Sequence, residues 1–132
     1  MEEAMSKVLV VEDEADIREL LADTLADAGY QVVQATDGGE GLTCALTKNP
    51  DVVLLDVMMP VLDGFQVLEQ LKGNAGTSKL PVIMVSARGQ EAEVQKALQA
   101  GAFAYIIKPW LANEVEAKVR EALHSSPAQA GL

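Results

Sequence analysis

Five short apolar runs separated by amphipathic stretches constrain this chain more than any other feature. Lys7–Val11 is rich in Leu and Val and does not alternate with polar residues, as expected of a strand covered on both faces. Gln31–Ala35, Asp51–Leu55, Pro81–Val85 and Phe103–Ile107 read as four more strands, with Pro81 at a first position, where its missing donor matters least. Between them apolar residues recur at helical spacing. Ile17, Leu20, Leu21, Leu25 and Ala28 mark a first helix ended by Gly29, and Leu42, Ala45 and Leu46 a second, stopped by Asn49–Pro50. Phe65, Leu68 and Leu71 carry a third, followed by a polar loop over Gly73–Lys79. The fourth helix, Glu91–Ala100, offers a core only Val94, Ala97 and Leu98, which predicts a loosely docked element. Val115, Val119, Ala122 and Leu123 define the last helix.

Such alternation predicts an α/β fold: a (βα)5 three-layer sandwich with a five-stranded parallel sheet, right-handed crossovers and helices on both faces. The flavodoxin-like strand order 2-1-3-4-5 places its switch point, and its ligand crevice, between the first and third strands. A length of 132 residues suits one domain. It is expected over 7–124, with 1–6 as an N-terminal extension and 125–132 as a tail or the start of a linker. There is no internal repeat.

Bulk composition narrows the function classes. The 20 acidic residues outnumber 10 basic ones, giving a formal charge of −10 and no basic cluster, so direct nucleic-acid binding is not expected. No apolar run approaches the roughly 20 residues of a membrane span, and Met1–Lys7 lacks the apolar segment of a secretory signal. The single cysteine, Cys44, falls in a helical pattern as packing filler and fits a reducing cytoplasm.

Polar residues stand where the strand runs stop. Val8–Val11 leads into Glu12 and Asp13, Val52–Leu55 into Asp56, Val82–Val85 into Ser86, and Phe103–Ile107 into Lys108 and Pro109. In a parallel sheet the carboxyl ends share one edge, so three carboxylates, a hydroxyl and an ammonium converge there. Carboxylates about 5 Å apart repel by roughly 3 kcal/mol at an effective dielectric near 20, so the cluster calls for a cation or a proton. Mg²⁺ suits it, as a hard ion taking carboxylate, water and phosphate oxygens; Mn²⁺ would serve similarly. A carboxylate beside that ion can attack phosphorus to give an acyl phosphate, with Lys108 and Ser86 receiving phosphoryl oxygens.

Taken in order, Glu12–Asp13, Asp56-Val57-Met58-Met59-Pro60 with Asp63–Gly64, Ser86–Ala87 and Lys108–Pro109 resemble the receiver domain of two-component response regulators. The resemblance runs from about Lys7 to Leu123. It implies that Asp56 is the phosphoacceptor, supplied by a histidine kinase or phosphotransfer protein, and that the domain signals to a downstream partner or output domain rather than acting as a conventional enzyme. It implies Mg²⁺ ligation by Asp13, Asp56 and the Met58 carbonyl, with Glu12 holding a metal-bound water. It also implies that Ser86 and Tyr105 form the switch that reshapes the face of the fourth helix, fifth strand and fifth helix. The family suggests a cis peptide bond at Lys108–Pro109, but the base rate of about 5% leaves the isomer open from sequence.

Plainer roles exist for single residues. Asp13 alone could cap the first helix, Glu12 could be a solvated strand end, Lys108 a surface lysine and Tyr105 a partly buried core residue; Asp63–Gly64 is chiefly a turn. An alternative is a Mg²⁺-dependent aspartyl-phosphate phosphatase or phosphotransferase of the haloacid-dehalogenase kind. That chemistry wants a second aspartate two residues after the nucleophile, where this chain has Met58. A flavin-phosphate binder would want a Ser/Thr/Gly-rich loop in place of Glu12-Asp13-Glu14. Trp110 stands where the family more often has Phe and could add exposed aromatic surface, Leu111 is a poor helix cap, and Met58 and Arg88 flank the acceptor where they could control access of water.

Overall fold

Strands and helices alternate along the chain: β1 (Lys7–Val11), α1 (Ala15–Asp27), β2 (Gln31–Ala35), α2 (Gly38–Thr47), β3 (Val52–Asp56), α3 (Gly64–Lys72), β4 (Val82–Ser86), α4 (Glu91–Gln99), β5 (Ala104–Ile107) and α5 (Ala112–His124). The structure, a computed structural model, describes residues 6–60 and 62–125. The flanking segments expected over 1–6 and 125–132 therefore lie, apart from Ser6 and Ser125, outside the described residues. The sheet is parallel throughout, in the expected order β2-β1-β3-β4-β5.

Because strand side chains alternate, each strand feeds two cores. Leu9, Val11, Val53, Leu55 and Met84 face α2, α3 and α4, whose Cys44, Ala45, Val67, Leu68, Leu71 and Ala97 close that layer. Val8, Val10, Val52, Leu54, Ile83, Val85 and Ile106 face α1 and α5, meeting Leu21, Leu25, Val115, Val119 and Ala122. This double coverage is why the strand runs read as continuously apolar.

Several expected boundaries shift. Asp56 and Ser86 belong to β3 and β4 as their last residues, because the ladder continues past the apolar run: the Val57 N–H donates to the Val85 carbonyl at 3.0 Å and the Lys108 N–H to that of Ser86 at 2.8 Å. Asp51, Pro81 and Phe103 fall just outside their strands, and Ala100 is the cap of α4 rather than part of it. Four apolar positions assigned to helix cores are exposed: Leu20, Ala28, Leu46 and Leu98. In α1 the buried stripe is Leu21, Ala22 and Leu25; Leu20 lies a step of about 100° to its side, and Ala28 is already the cap. Gly29 then turns the chain at φ +100°, a conformation costly for any residue with a Cβ.

Candidate functional site

The register of the central strands builds the site. Val11 pairs with Leu55, so Glu12 and Asp56, each one residue further on, emerge side by side at the carboxyl edge. Val85 pairs with Asp56 and Ile107 with Ser86, which brings Ser86 and Lys108 to the same edge. Behind Asp56, Gly64 lets the start of α3 close on the strand end; a Cβ there would meet the Asp56 carbonyl oxygen at 2.5 Å and Val57 Cα at 2.7 Å. Asp63 caps α3 by accepting from the Gln66 N–H at 3.0 Å, while the Gln66 side chain accepts from the Asp63 N–H at 2.9 Å.

Glu12, Asp13 and Asp56 each present a carboxylate oxygen within 4.8 Å of the other two. Glu12 and Asp56 are almost wholly buried, whereas Asp13 is exposed at the mouth. Lys108 reaches over both buried carboxylates, its Nζ 3.2 Å from Glu12 Oε1 and 3.3 Å from Asp56 Oδ1. The plainer roles of Asp13, Glu12 and Lys108 give way here, while Tyr105 does pack half-buried against the core. Glu14, not Asp13, is the N-cap of α1. Glu12 is no solvated strand end, and Lys108 is no free surface lysine.

The electrostatics are unbalanced. Burial pushes the Glu12 carboxyl up to about 7, against the Glu14 N–H that donates to its Oε2 at 3.1 Å, and the charge of Asp56 pushes it further. Burial also raises Asp56, opposed chiefly by Lys108 and by the Met58 N–H. Burial acts to lower Lys108, but Asp56 and Glu12 outweigh it and hold the ammonium above its ordinary value. One ammonium against three carboxylates leaves two negative charges in excess when all are ionised. Hard oxygen donors at this spacing with a net deficit of positive charge fit a divalent cation such as Mg²⁺. Asp13 and Asp56 would supply carboxylate oxygens, Glu12 would hold a metal-bound water, and Met58 sits in the loop that would supply a carbonyl.

The remaining residues form a second, hydrogen-bonded group. Ser86 is fully buried, and its Oγ accepts from the Arg88 N–H at 3.0 Å. The Tyr105 hydroxyl donates to the Arg88 carbonyl at 2.7 Å, so the loop after β4 is tied at once to Ser86 and to β5. The Lys108–Pro109 peptide, whose isomer the sequence left open, is cis. Trp110 is half-buried against the α1–α5 core rather than freely exposed; with Ile17, Leu20, Ala87 and Pro109 it lines an apolar groove beside Lys108. Two supports had no sequence signal: Arg18, whose Nη1 donates to the Glu12 carbonyl at 3.0 Å, and Glu93, which pairs with Arg88. Both act through contacts that exist only once the helices are docked.

Residues 8–120 match the family model of the response regulator receiver domain. The chain is 43% identical over 123 residues to "Probable transcriptional regulator ycf27" of Cyanophora paradoxa, covering 93% of this chain and 50% of that protein. It is 41% identical over 120 residues to the alkaline phosphatase synthesis transcriptional regulatory protein PhoP of Bacillus subtilis, covering 91% and 49%. The chain thus spans about half the length of the curated relatives it matches. Among solved structures it is similar to the chemotaxis protein CheY4 of Vibrio cholerae, with a TM-score of 0.85, 32% identity and coverage of 90% and 99%. The receiver domain of NtrX from Brucella abortus gives 0.84, 34%, 90% and 99%.

Proposed function

The chain belongs to the response regulator receiver family of two-component systems, and on that premise we propose that it accepts a phosphoryl group on Asp56 and passes the signal on by changing its surface. The observation that carries this reading is the convergence of Glu12, Asp13 and Asp56 within 4.8 Å, with Lys108 Nζ 3.3 Å from the Asp56 oxygen. The donor is a phosphohistidine on a histidine kinase or phosphotransfer protein, and the receiving unit occupies 7–124, with 1–6 and 125–132 outside it. Kinase-derived phosphohistidine places the chemistry in the cytoplasm. Among the described residues no helix is long and apolar enough to cross a membrane.

The chemistry is an in-line displacement. An Asp56 carboxylate oxygen attacks phosphorus, an acyl P–O bond forms, and the bond from phosphorus to the histidine nitrogen breaks with its electron pair remaining on the nitrogen. When bound at the acidic cluster, Mg²⁺ supplies positive charge that lets the anionic donor approach. Lys108 pairs with one phosphoryl oxygen, and the Ser86 hydroxyl donates to another. Turning Ser86 toward that oxygen breaks its bond from the Arg88 N–H, which frees the loop that Tyr105 holds from the other side. Tyr105 then follows, and the face made by α4, β5 and α5 changes for its partner. No external substrate is turned over; the domain catalyses only its own phosphorylation and dephosphorylation. The phosphatase alternative is not favoured by the family match, and Met58 stands where that chemistry needs a second aspartate.

Acetyl phosphate with Mg²⁺, followed by peptide mass spectrometry, tests the proposal. One added phosphoryl group at Asp56 is expected, absent from Asp56→Asn and absent when Mg²⁺ is chelated. Undiminished label in Asp56→Asn moves the acceptor elsewhere, and label without divalent cation removes the metal from the account.

A further inference from the structure

Arg88 joins the loop after β4 to α4 as well as to Ser86 and Tyr105. Its guanidinium lies 3.6 Å from Glu93 Oε2, in the first turn of α4. The Glu93 side chain is only 20% exposed, and its other oxygen, Oε1, is buried without a hydrogen-bond partner among the described residues. Lys96, one turn on, instead places its ammonium 4.2 Å from the centre of the Phe65 ring. Arg88 is therefore the counter-charge of a carboxylate that has already lost most of its water. Val57 and Met58, directly after Asp56, line the same cleft of about 500 Å³ as Arg88, Glu93 and Lys96. The guanidinium thus shares a cleft with both the acceptor loop and its present partner.

We propose that Arg88 and Glu93 form a charge-operated latch on α4, opened when Arg88 is drawn from Glu93 toward the phosphoryl group on Asp56. The inference rests on the function proposed above. A phosphoryl group adds about two negative charges and oxygens that suit a guanidinium fork better than a single carboxylate oxygen at 3.6 Å does. The same event turns Ser86 away from the Arg88 N–H, so the backbone and the side chain of one residue are released together. Glu93 is then a half-buried carboxylate, one oxygen fully covered, with neither cation nor hydrogen bond, which is unfavourable. Relief comes from the first turn of α4 swinging outward until Glu93 meets water. Little opposes that motion, because Ala97 is the one fully buried side chain of α4. Arg88 is here a positioning residue, acting on the partner surface through Glu93.

Amide hydrogen exchange on the full chain, with and without acetyl phosphate and with the label at Asp56 quantified in the same samples, tests the latch. Labelled wild type is expected to exchange α4 amides about five-fold faster than unlabelled, a ratio set by a partly exposed ion pair, with α5 unchanged. Glu93→Gln keeps the shape and removes the buried charge; it should take the label normally and lose the acceleration. The paired swap Arg88→Glu with Glu93→Arg restores the resting ion pair but offers the phosphoryl group a carboxylate, so α4 should stay protected in both states. A merely structural salt bridge would let the swap behave as wild type, and that result overturns the latch. So does equal acceleration in Glu93→Gln with full labelling, which decides the matter alone if the swap does not fold. Absence of label on wild-type Asp56 overturns both this inference and the function it rests on.

Discussion

The two helices that flank β5 are docked by different amounts, and the difference separates the part of the domain that holds from the part that can move. On one face α5 buries Val115, Val119, Ala122 and Leu123 against the sheet. On the other α4 buries Ala97 alone, with Val94 half-covered and Leu98 left 40% exposed. At about 25 cal/mol per Å² of apolar surface, three or four covered aliphatic side chains anchor a helix by several kcal/mol, whereas one alanine contributes little. What α4 lacks in burial it replaces with charge: Arg88 on Glu93, and Lys96 over Phe65. Apolar contact is indifferent to a phosphoryl group nearby, and ion pairs are not. A receiver that signals through α4 while keeping its fold needs this asymmetry.

The largest effect expected to sharpen the comparison is that of pH on the metal-free protein. Glu12 is raised from 4.5 to about 7 by burial, so between those values the folded state holds a proton that the unfolded chain has released. Stability from this group is complete below pH 4.5 and falls as pH rises toward 7, by up to roughly 3 kcal/mol at 1.36 kcal/mol per pKa unit. Asp56, shifted in the same direction, adds to the trend; Lys108 titrates above the window. Urea unfolding should therefore show the metal-free domain more stable at pH 5 than at pH 7.5, with millimolar Mg²⁺ recovering the loss at pH 7.5. Local opening of α4, followed by amide exchange, should not share this dependence, because α4 opens without exposing Glu12. A parallel pH dependence of α4 opening would mean that α4 does not open independently of the acidic cluster at the strand ends.

A smaller effect separates the helices directly. Val119→Ala removes two methyl groups from a position with no exposure and should destabilise the domain by about 2 kcal/mol. Val94→Ala on α4 removes the same groups from a half-covered site and should cost less than about 1 kcal/mol. Chemical denaturation of both variants checks the ratio; equal losses would show α4 to be as firmly packed as α5.

Much of this asymmetry can be read in the chain before any coordinates. Val115, Val119, Ala122 and Leu123 repeat at helical spacing and are all buried, and the poverty of Glu91–Ala100 in large apolar residues foretells its weak docking. The acidic cluster is legible too, because the carboxyl ends of a parallel sheet's strands share one edge. The register that sets Glu12 beside Asp56 is not, since strands buried on both faces carry no alternation to fix it. What could not be read depends on side-chain direction across docked elements. Leu20 and Leu46 fit a helical stripe by spacing yet lie at its border, and nothing local distinguishes them from Leu21. Arg18 on the Glu12 carbonyl and Arg88 on Glu93 are ordinary surface residues until the fold sets their partners beside them.

The smallest effect concerns how firmly α5 begins. Leu111 occupies its N-cap with extended backbone, 70% exposed, and makes no side-chain capping bond. Glu114, three residues on, already accepts from the Leu111 N–H, though at 3.5 Å. That is one half of a capping box. The Glu114 N–H now donates to the Leu111 carbonyl at 3.0 Å, which the Val115 N–H shares at 3.2 Å, and a side-chain oxygen at 111 would give it an acceptor of its own. Leu111→Ser supplies it and gives up little packing, since most of the leucine lies in water. A gain of about 0.5–1 kcal/mol is expected in denaturation, with slower exchange of the first α5 amides and no change in α4. Loss of stability instead would mean that Leu111 packs on the domain more than its exposure implies, and that the start of α5 is held by apolar contact like the rest of that helix.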